Sequence, residues 1–393
     1  MRILSFICRV KHQTSINCMK VLHIVHAFTG GGIEQYLLNL AGNIDRKQYE
    51  IQVLGTCERD VFDRAGELEK RNIPFHRLKA GSLFQRIREW QQLLLKEEYD
   101  IVHIQGMPNT GVIWLTSGKL ARPGTRFIVH SHMGIRKGIG SSLIRRIAYR
   151  ICYQATNFLY RALADVRAGC SHDAMQFHYG KSIGTKGMLL NNGIHLQRFR
   201  NPRCPQLCTR DIIIVARLAY QKNPFFVLDI INHLVARHPG WKLTWVGAGH
   251  LEPDVKAKII ELNLEQNIIM LGARKDIPEQ LWQHSLFLLP SIHEALPISL
   301  IEAQAAGCLC LAADCVPEAA NCGALHRLSL SQGAEAWADY IEQLHHEQKQ
   351  YPIDEEKLNA YDIRTTTAQV AALYSRMAKQ PGIKPQKLSQ SEN

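Results

Sequence analysis

"VLHIVHAFTGGGIEQYLLNLAGNI" (residues 21–44) sets an eight-residue apolar run against a glycine triplet, followed by apolar residues at helical spacing. The run reads as a buried strand over 21–28, the glycines as a tight turn, and the remainder as a helix. Nothing in so short a stretch says what the turn holds. A helix N-terminus behind glycines offers free N–H groups to an anion, and a simple strand–helix turn needs the same residues. The dinucleotide-binding spacing is not met: after Gly30 and Gly32 the third glycine would fall at Gln35.

The same unit recurs outward from there. "YEIQVLGT" (49–56) is a second strand, and "ELEKRNIPFHRL" (67–78) a helix and a short strand. "SLFQRIREWQQLLLKEEYDIVHIQG" (82–106) is a helix and a strand, and "RFIVHSHMG" (126–134) a strand ending in histidines. "ALADVRAGCSHDAMQFHYG" (162–180) is a strand, a Ser-led turn and a helix. At "NPRCPQLCTR" (201–210) the pattern breaks in a polar, proline-containing linker, then restarts with "DIIIVARL" (211–218) and strands at 241–249, 268–273, 286–291 and 308–314. Strands alternating with helices imply parallel, doubly wound sheets, here two of similar size. A chain of 393 residues suits two such domains. Ligands of open α/β sheets bind at the strands' carboxyl ends, which two domains place across a cleft.

Totals narrow the class. Hydrophobic residues make up 46% and charged residues 21%, ordinary for a globular enzyme, and no run approaches the roughly 20 apolar residues that span a bilayer. Eleven scattered cysteines lack metal-site spacing and read as reduced thiols of a cytoplasmic protein. Residues 1–200 hold 29 Lys and Arg against 14 Asp and Glu, whereas residues 201–393 hold 18 against 21, so the basic charge faces something anionic from the first half. Residues 1–18 read as a loose extension, with Met19 the natural start.

Several constellations carry chemistry. In "ARLAYQKNP" (216–224) a planar fork, Arg217, and a point charge, Lys222, flank a strand end and suit a diphosphate, although solvated surface cations are the plainer account of the pair alone. "VGAGHLEP" (246–253), with Gly247, and "LGARKDIPE" (271–279), with Arg274, are further strand ends that line a cleft or form surface turns. "HEALPISLIEAQAAG" (293–307) places Glu294 on a loop before Pro297, which suits a helix's first turn, and Glu302 inside that Ala-rich helix. A carboxylate among Ala, Leu and Ile is costly unless bonded, so Glu302 is not explained as a helix-start acid, whereas Glu294 can be. Carboxylates beside cations fit a sugar nucleotide: cations for the diphosphate, carboxylates for sugar hydroxyls. His130 and His132 lie on one side of a strand end, and with no carboxylate to complete a triad, no metal is expected.

In order and spacing these motifs resemble the retaining glycosyltransferases of family 4, of GT-B architecture, and among them the bacterial capsule, exopolysaccharide and O-antigen enzymes. The resemblance runs from about Met19 to about Met377, through "MKVLHIVHAFTGGGIEQYLLNL", "VHSHMG", "AGCSHDA", "NNGIHLQRF", "VARLAYQKNP", "WVGAGHLEP", "LGARKDIPE" and "SIHEALPISLIEAQAAG". It implies an acceptor-binding domain over 19–200 and a nucleotide-sugar-binding domain over 201–357. A C-terminal helix, 358–378, crosses back to the first domain, and 379–393 is a polar tail. It implies that Glu294, with Ala295 and Leu296 beside it, meets the donor sugar, and Glu302 the ribose. Arg217 and Lys222 hold the diphosphate in place of a divalent metal, so no cofactor is needed. Gly31 and Gly32 let the first loop close on the phosphates or acceptor, with Gly247 and Arg274 also on the donor side. His130 lies near the reacting carbon, with His132 a second candidate and Asn192 at the hinge. The family has Glu-Gly or Glu-Phe where this chain has Glu294–Ala295, a small enough change to leave the site intact.

The activity implied is transfer of a hexose or N-acetylhexosamine from a UDP-sugar, with retention, to a saccharide or polyprenyl-diphosphate-linked acceptor. A GT-B sugar-nucleotide epimerase is the alternative, and an NAD-dependent oxidoreductase or a non-catalytic binding protein explains fewer of the residues. The segment 136–167, with Arg136, Lys137, Arg145, Arg146, Arg150 and Arg161 among apolar residues, fits two accounts equally. It lies on the anionic inner face of the cytoplasmic membrane, or it packs on the sheet with its arginines in water. Nucleic acid is not expected, since no nucleic-acid motif accompanies the charge.

Overall fold

The structure, a computed structural model, describes residues 18–26, 28, 32–57, 65–79, 81–107, 110–132, 143–180, 186–200, 210–347, 349 and 351–379. The extension 1–17, most of the linker 201–210 and the tail 380–393 lie outside the described residues, as do Gly31, Arg136 and Lys137.

The first half runs β1 (Met19–Val25), α1 (Gly32–Asn43), β2 (Tyr49–Gly55), α2 (Ala65–Glu69), β3 (Phe75–Arg77), α3 (Leu83–Glu97) and β4 (Ile101–Gln105). It continues with α4 (Gly111–Ala121), β5 (Arg126–Ser131), α5 (Leu143–Leu163), β6 (Val166–Gly169), α6 (His172–Tyr179) and β7 (Gly187–Leu189). Its seven strands are all parallel, in the order β3-β2-β1-β4-β5-β6-β7. After the short α7 (Leu196–Phe199) come β8 (Asp211–Val215), α8 (Pro224–Arg237), β9 (Lys242–Val246), α9 (Glu252–Glu261), β10 (Ile268–Gly272) and α10 (Ile277–Trp282). Then follow β11 (Leu286–Leu289), α11 (Ile298–Ala305), β12 (Leu309–Ala313), β13 (Leu325–Leu328), α12 (Gly333–Glu347), α13 (Glu355–Asn359) and α14 (Ile363–Lys379). The second sheet is also parallel, β10-β9-β8-β11-β12-β13.

Strand order reverses between β1 and β4 in one sheet and between β8 and β11 in the other. At such points the loops leave in opposite directions and open a crevice beyond the strands' carboxyl ends. The glycine turn after β1, the Arg217 loop after β8 and the Glu294 loop after β11 therefore all begin at switch points.

Helices cover both faces of each sheet, which is why the central strands are buried on both sides and do not alternate apolar with polar. All five residues of β4 and of β12 are buried. On one face of the first sheet α1 and α14 pack together; on the other lie α3, α4, α5 and α6. Local chemistry sets the helix starts. Ser82 and Gln85 exchange side-chain and backbone bonds in a capping box before α3, and the Ser171 hydroxyl caps α6.

Some boundaries differ from the sequence reading. β1 stops at Val25, short of 28, and β5 at Ser131, short of 134, because the chain turns out of each sheet at the switch-point crevice. Pro297 is the residue before α11, one position outside the first turn. The terminal helix expected over 358–378 divides into α13 and α14, separated at 360–362, where the chain pairs with the interdomain crossing. There Ile194 N–H donates to Tyr361 O (2.9 Å) and Ile363 N–H to Ile194 O (2.8 Å). Beyond it, Val370, Leu373, Tyr374 and Met377 of α14 are buried in the core of the first sheet.

Since Leu373 is 1% exposed within that core, Leu373→Ala is expected to cost about 2–5 kcal/mol. Hydrogen exchange should show the loss in the amides of β1 and β4. Faster exchange confined to β8 and β11 would contradict this placement of the helix.

Candidate active site

Three backbone and side-chain ties lace the loop after β8 to the loop after β11. Ile292 N–H donates to Gln221 O (2.8 Å), Gln221 Nε2 donates to His293 O (2.8 Å), and Lys222 Nζ forms an ion pair with Glu294 Oε1. The Lys222 and Glu294 side chains are only 14% and 7% exposed, so each is the counter-charge that lets the other be buried. Arg217, two residues past β8, is exposed, and its guanidinium has no hydrogen-bond or ion-pair partner among the described residues. The sequence pairing of Arg217 with Lys222 thus divides: one cation is engaged with a carboxylate, the other is free to meet an anion.

Glu302 sits in the second turn of α11, half-buried, and its carboxylate has no hydrogen-bond or ion-pair partner among the described residues. Burial lifts its carboxyl to about 7, against the pull of Arg198 on α7. Its neighbour Gln304, which sequence reasoning passed over, is a structural pin: its amide donates to Leu300 O and Ala320 O and accepts from Cys322 N–H. Of the two long polar side chains on this short helix, Gln304 is fully bonded and the Glu302 carboxylate is not.

Gly247 has φ +140°, and a Cβ there would lie 2.0 Å from Ala216 O. Close packing of two strand-end loops accounts for this glycine without a ligand. Arg274 is held in a two-pronged fork by Asp276 (2.8 and 2.6 Å), two residues away in the same turn, so its guanidinium is engaged locally. Gly32 opens α1, and a Cβ there would meet nothing within 4 Å, so space lies beside it. Leu296 is buried, and Ala295 O accepts from Ser171 Oγ at the start of α6 (3.0 Å). This bond ties the Glu294 loop to the first half of the chain.

On the other side of the crevice His130 and His132 come together, ring centroids 4.0 Å apart. His130 is fully buried and its Nε2 meets Leu190 O at 3.1 Å. They belong to a larger group that sequence reasoning missed. His23 of β1 and His103 of β4 are register partners, His103 stacks on His130, and Tyr36 of α1 meets both His130 and His132 edge-on or tilted at about 5.5 Å. Burial pushes His23 and His130 down to about 3, and holds His103 and His132 well below the usual imidazole range. All four are neutral at ordinary pH. His130 Nδ1, His132 Nδ1, Tyr36 Oη and Asn192 Oδ1 are buried without a hydrogen-bond partner among the described residues. Asn192 lies in the interdomain crossing, next to Gly193, whose carbonyl accepts from Asn39 of α1 (3.0 Å). The signal in the sequence was a histidine within each of three apolar strands, His23, His103 and His130.

The loops after β8 and β11 and the helix α11 therefore carry an unpaired guanidinium and two carboxylates, and the strands of the first sheet carry neutral hydrogen-bonding groups. Among the described residues no set of three His, Cys, Asp or Glu could hold a metal ion, and no helix is long and apolar enough to cross a membrane.

Lys222→Met would leave Glu294 buried without its counter-charge, a loss of about 3–5 kcal/mol at pH 8. Urea unfolding at pH 8 tests this; equal stability of variant and wild type would mean that water already solvates the pair.

Two family models match the chain: Glycosyltransferase Family 4 over residues 30–164 and Glycosyl transferases group 1 over residues 206–361. The amylovoran biosynthesis glycosyltransferase AmsD of Erwinia amylovora is 34% identical over 289 residues, covering 72% of this chain and 78% of that protein. The UDP-Gal:α-D-GlcNAc-diphosphoundecaprenol α-1,3-galactosyltransferase of Escherichia coli is 27% identical over 240 residues, covering 56% of this chain and 59% of that protein. In fold, the chain is similar to the crystal structure of Anabaena HepE in complex with UDP-glucose. The TM-score is 0.70 at 18% identity, over 91% of this chain and all of that one. Two parallel sheets meeting at paired switch points are the GT-B architecture, and with these matches the chain belongs to the family 4 glycosyltransferases.

Proposed function

We propose that this glycosyltransferase moves a hexose or N-acetylhexosamine from a UDP-sugar to a lipid-linked or free saccharide acceptor in the assembly of a bacterial surface polysaccharide. It does so with retention of configuration and without a metal ion. The observation that carries the reading is the partnerless Glu302 carboxylate on the same wall as unpaired Arg217 and the Lys222–Glu294 pair. A nucleoside diphosphate sugar needs both: hydroxyl acceptors for the ribose and a cation for the diphosphate. In this reading Arg217, exposed and unpaired, meets the diphosphate, and Lys222 follows once a sugar hydroxyl takes up part of Glu294's charge. Cations that meet charge as it develops on the leaving diphosphate do the work a divalent metal does elsewhere. The neutral His130, His132 and Asn192 face the transferred sugar. No side chain is assigned as a covalent nucleophile; the acceptor hydroxyl attacks on the face that the diphosphate leaves. The relatives support this reading, since one is named for amylovoran synthesis and another for a UDP-Gal donor and a diphosphoundecaprenol acceptor. Membership of a transferase family favours transfer over the epimerase alternative.

The test is binding of UDP-glucose, UDP-galactose, their N-acetyl analogues and GDP-mannose in EDTA, by calorimetry, to wild type and Glu302→Gln. One UDP-sugar should bind to the wild type, with affinity rising about tenfold as pH passes upward through about 7. An ionised carboxylate accepts a stronger hydrogen bond than a neutral acid. The variant should bind more weakly and with no such pH dependence. A requirement for added divalent metal, or equal binding by both proteins, would rule the donor site out.

The basic first half is proposed to rest on anionic lipid. Ile147, Ile151 and Phe158 are exposed along α5 at spacings of four and seven, which share one side of a helix. Residues 101–164 contain no Asp or Glu. Apolar residues on a basic background suit the interfacial zone of a bilayer. Vesicles containing phosphatidylglycerol should sediment the wild type and release Ile151→Ser/Phe158→Ser, while vesicles of phosphatidylcholine alone should hold neither.

A further inference from the structure

A cation that sequence reasoning did not single out reaches Glu302 from the crossing between the sheets. The short helix α7 lies in that crossing, with Leu196 and Phe199 buried in the core of the second sheet beside Leu300 and Ile301 of α11. Trp282 Nε1 of α10 donates to Phe199 O (2.8 Å) and pins the end of the helix. With Leu196 and Phe199 turned inward, Arg198 is left exposed, and its guanidinium has no hydrogen-bond or ion-pair partner among the described residues. Arg200, two residues on, is held by the Glu355 carboxylate in a two-pronged fork (3.1 and 2.6 Å). The free arginine acts on Glu302: burial, the larger effect, pushes that carboxyl up, and the Arg198 charge draws it down.

Among the described residues the other charges near α11 are accounted for. The helix packs against α7, β11 and β12. Neither strand carries an acidic or basic residue, and burial keeps the Cys310 thiol of β12 neutral. On α11 itself Glu302 is the only ionisable side chain. At the mouth of the helix Glu294 is neutralised by Lys222. His195, just before α7, is held below the usual imidazole range by burial, then by Arg198 and Arg71, and is uncharged at neutral pH. Arg198 and Glu302 form no ion pair with each other, so the carboxylate oxygens stay open to a ligand. Because α7 and α11 share one core, the two residues keep their spacing whatever the halves of the molecule do.

We propose that Arg198 is a positioning residue of the donor site: from the interdomain crossing it favours the ionised form of Glu302, the form that accepts the hydroxyls of the nucleotide's ribose. The proposal rests on the donor reading for the ribose, but the ionisation belongs to the free protein. A carboxylate accepts through both oxygens, whereas the neutral acid has one oxygen carrying a proton and makes weaker bonds through the other. A carboxyl that titrates near neutrality is divided between the two forms, so even a partly screened charge changes how much of the protein is ready to bind. A guanidinium suits this task because it keeps its charge at every pH in the range. Held off from the carboxylate, it supplies a field without occupying the oxygens, which is where it differs from Lys222 on Glu294.

The experiment is a ¹³C titration of the Glu302 carboxyl in glutamate-labelled full-length protein, with the signal assigned by its loss in Glu302→Gln. The wild-type carboxyl should titrate near 7. In Arg198→Met the midpoint should rise by about 0.5–1 unit, the scale of one partly screened charge, and in Arg198→Lys it should stay near the wild-type value. Calorimetry with UDP reads the consequence. Arg198→Met should bind about two- to fivefold more weakly at pH 7, as the smaller ionised fraction requires, and as well as wild type at pH 9. Its thermal midpoint should be unchanged, since Arg198 is exposed. A Glu302 midpoint that is the same in wild type and Arg198→Met overturns the proposal. So does a loss of UDP affinity of equal size at both pH values, which would make Arg198 a direct contact or a structural support. A shifted midpoint in a protein to which neither UDP nor any UDP-sugar binds would instead remove the ribose and count against the donor site, because the titration is read without ligand.

Discussion

The chain crosses between its two sheets twice, and the two crossings are bonded side by side. Ile194 takes a hydrogen bond from Ile363 and gives one to Tyr361, making a parallel bridge with the segment that leads into α14. The contact is so close that a Cβ on Gly193 would lie 2.0 Å from Thr366 Oγ1. This joint fixes where the two switch-point crevices meet. It also lets the terminal helix complete the core of the first sheet. A single tether would leave the halves free to rotate; two tethers at one place leave a hinge. Asn192 lies in the first of these crossings, with its side chain against His132.

Burial energetics then shape the two walls. On the second sheet's side a lysine and a carboxylate are withdrawn from water together, which is tolerable only because each neutralises the other. Glu302 has no such relief and is held close to neutral by its apolar surroundings. On the first sheet's side four imidazoles are withdrawn from water without any counter-charge, and they remain uncharged. The two walls therefore differ in kind.

Much of this could be read in the sequence because it is local. A strand, a glycine turn and a helix lie within 24 residues, and Arg217, Lys222, Glu294 and Glu302 stand at recognisable strand ends and helix starts. The parallel sense of the strands follows from the alternation itself. What was not legible depends on register across the sheet. His23 and His103 are 80 residues apart and become partners only because β1 lies beside β4, and Tyr374 reaches them from the far end of the chain. Periodicity reports which face a residue occupies, and not which strand lies next to it. Gly247 and Arg274 are the opposite case. Local pattern made them candidates, but the Ala216 carbonyl and the Asp276 carboxylate, each a near neighbour in space, already account for them.

The division of labour between the walls explains why the family's architecture keeps its chemistry at an interface. Charge that develops on a departing diphosphate requires cations, whereas a sugar carrying positive character requires neighbours that do not repel it. On the proposed reading, protonated histidines beside the sugar would oppose the transition state, whereas Arg217 would assist it. Burial deep in a parallel sheet is what keeps those imidazoles unprotonated, and such burial is available only inside a domain. The cations need the reverse, a loop at the edge of the sheet where a guanidinium stays hydrated until the ligand arrives. One domain cannot easily supply a dry interior and a wet edge to the same atom. Two domains can, provided that something sets their separation. Here the Ser171 hydroxyl does so at one edge of the crevice, by bonding the Ala295 carbonyl next to Glu294. Ser171 is also the cap of α6, so the contact that sets the spacing is anchored in the secondary structure of one half and reaches the carboxylate loop of the other.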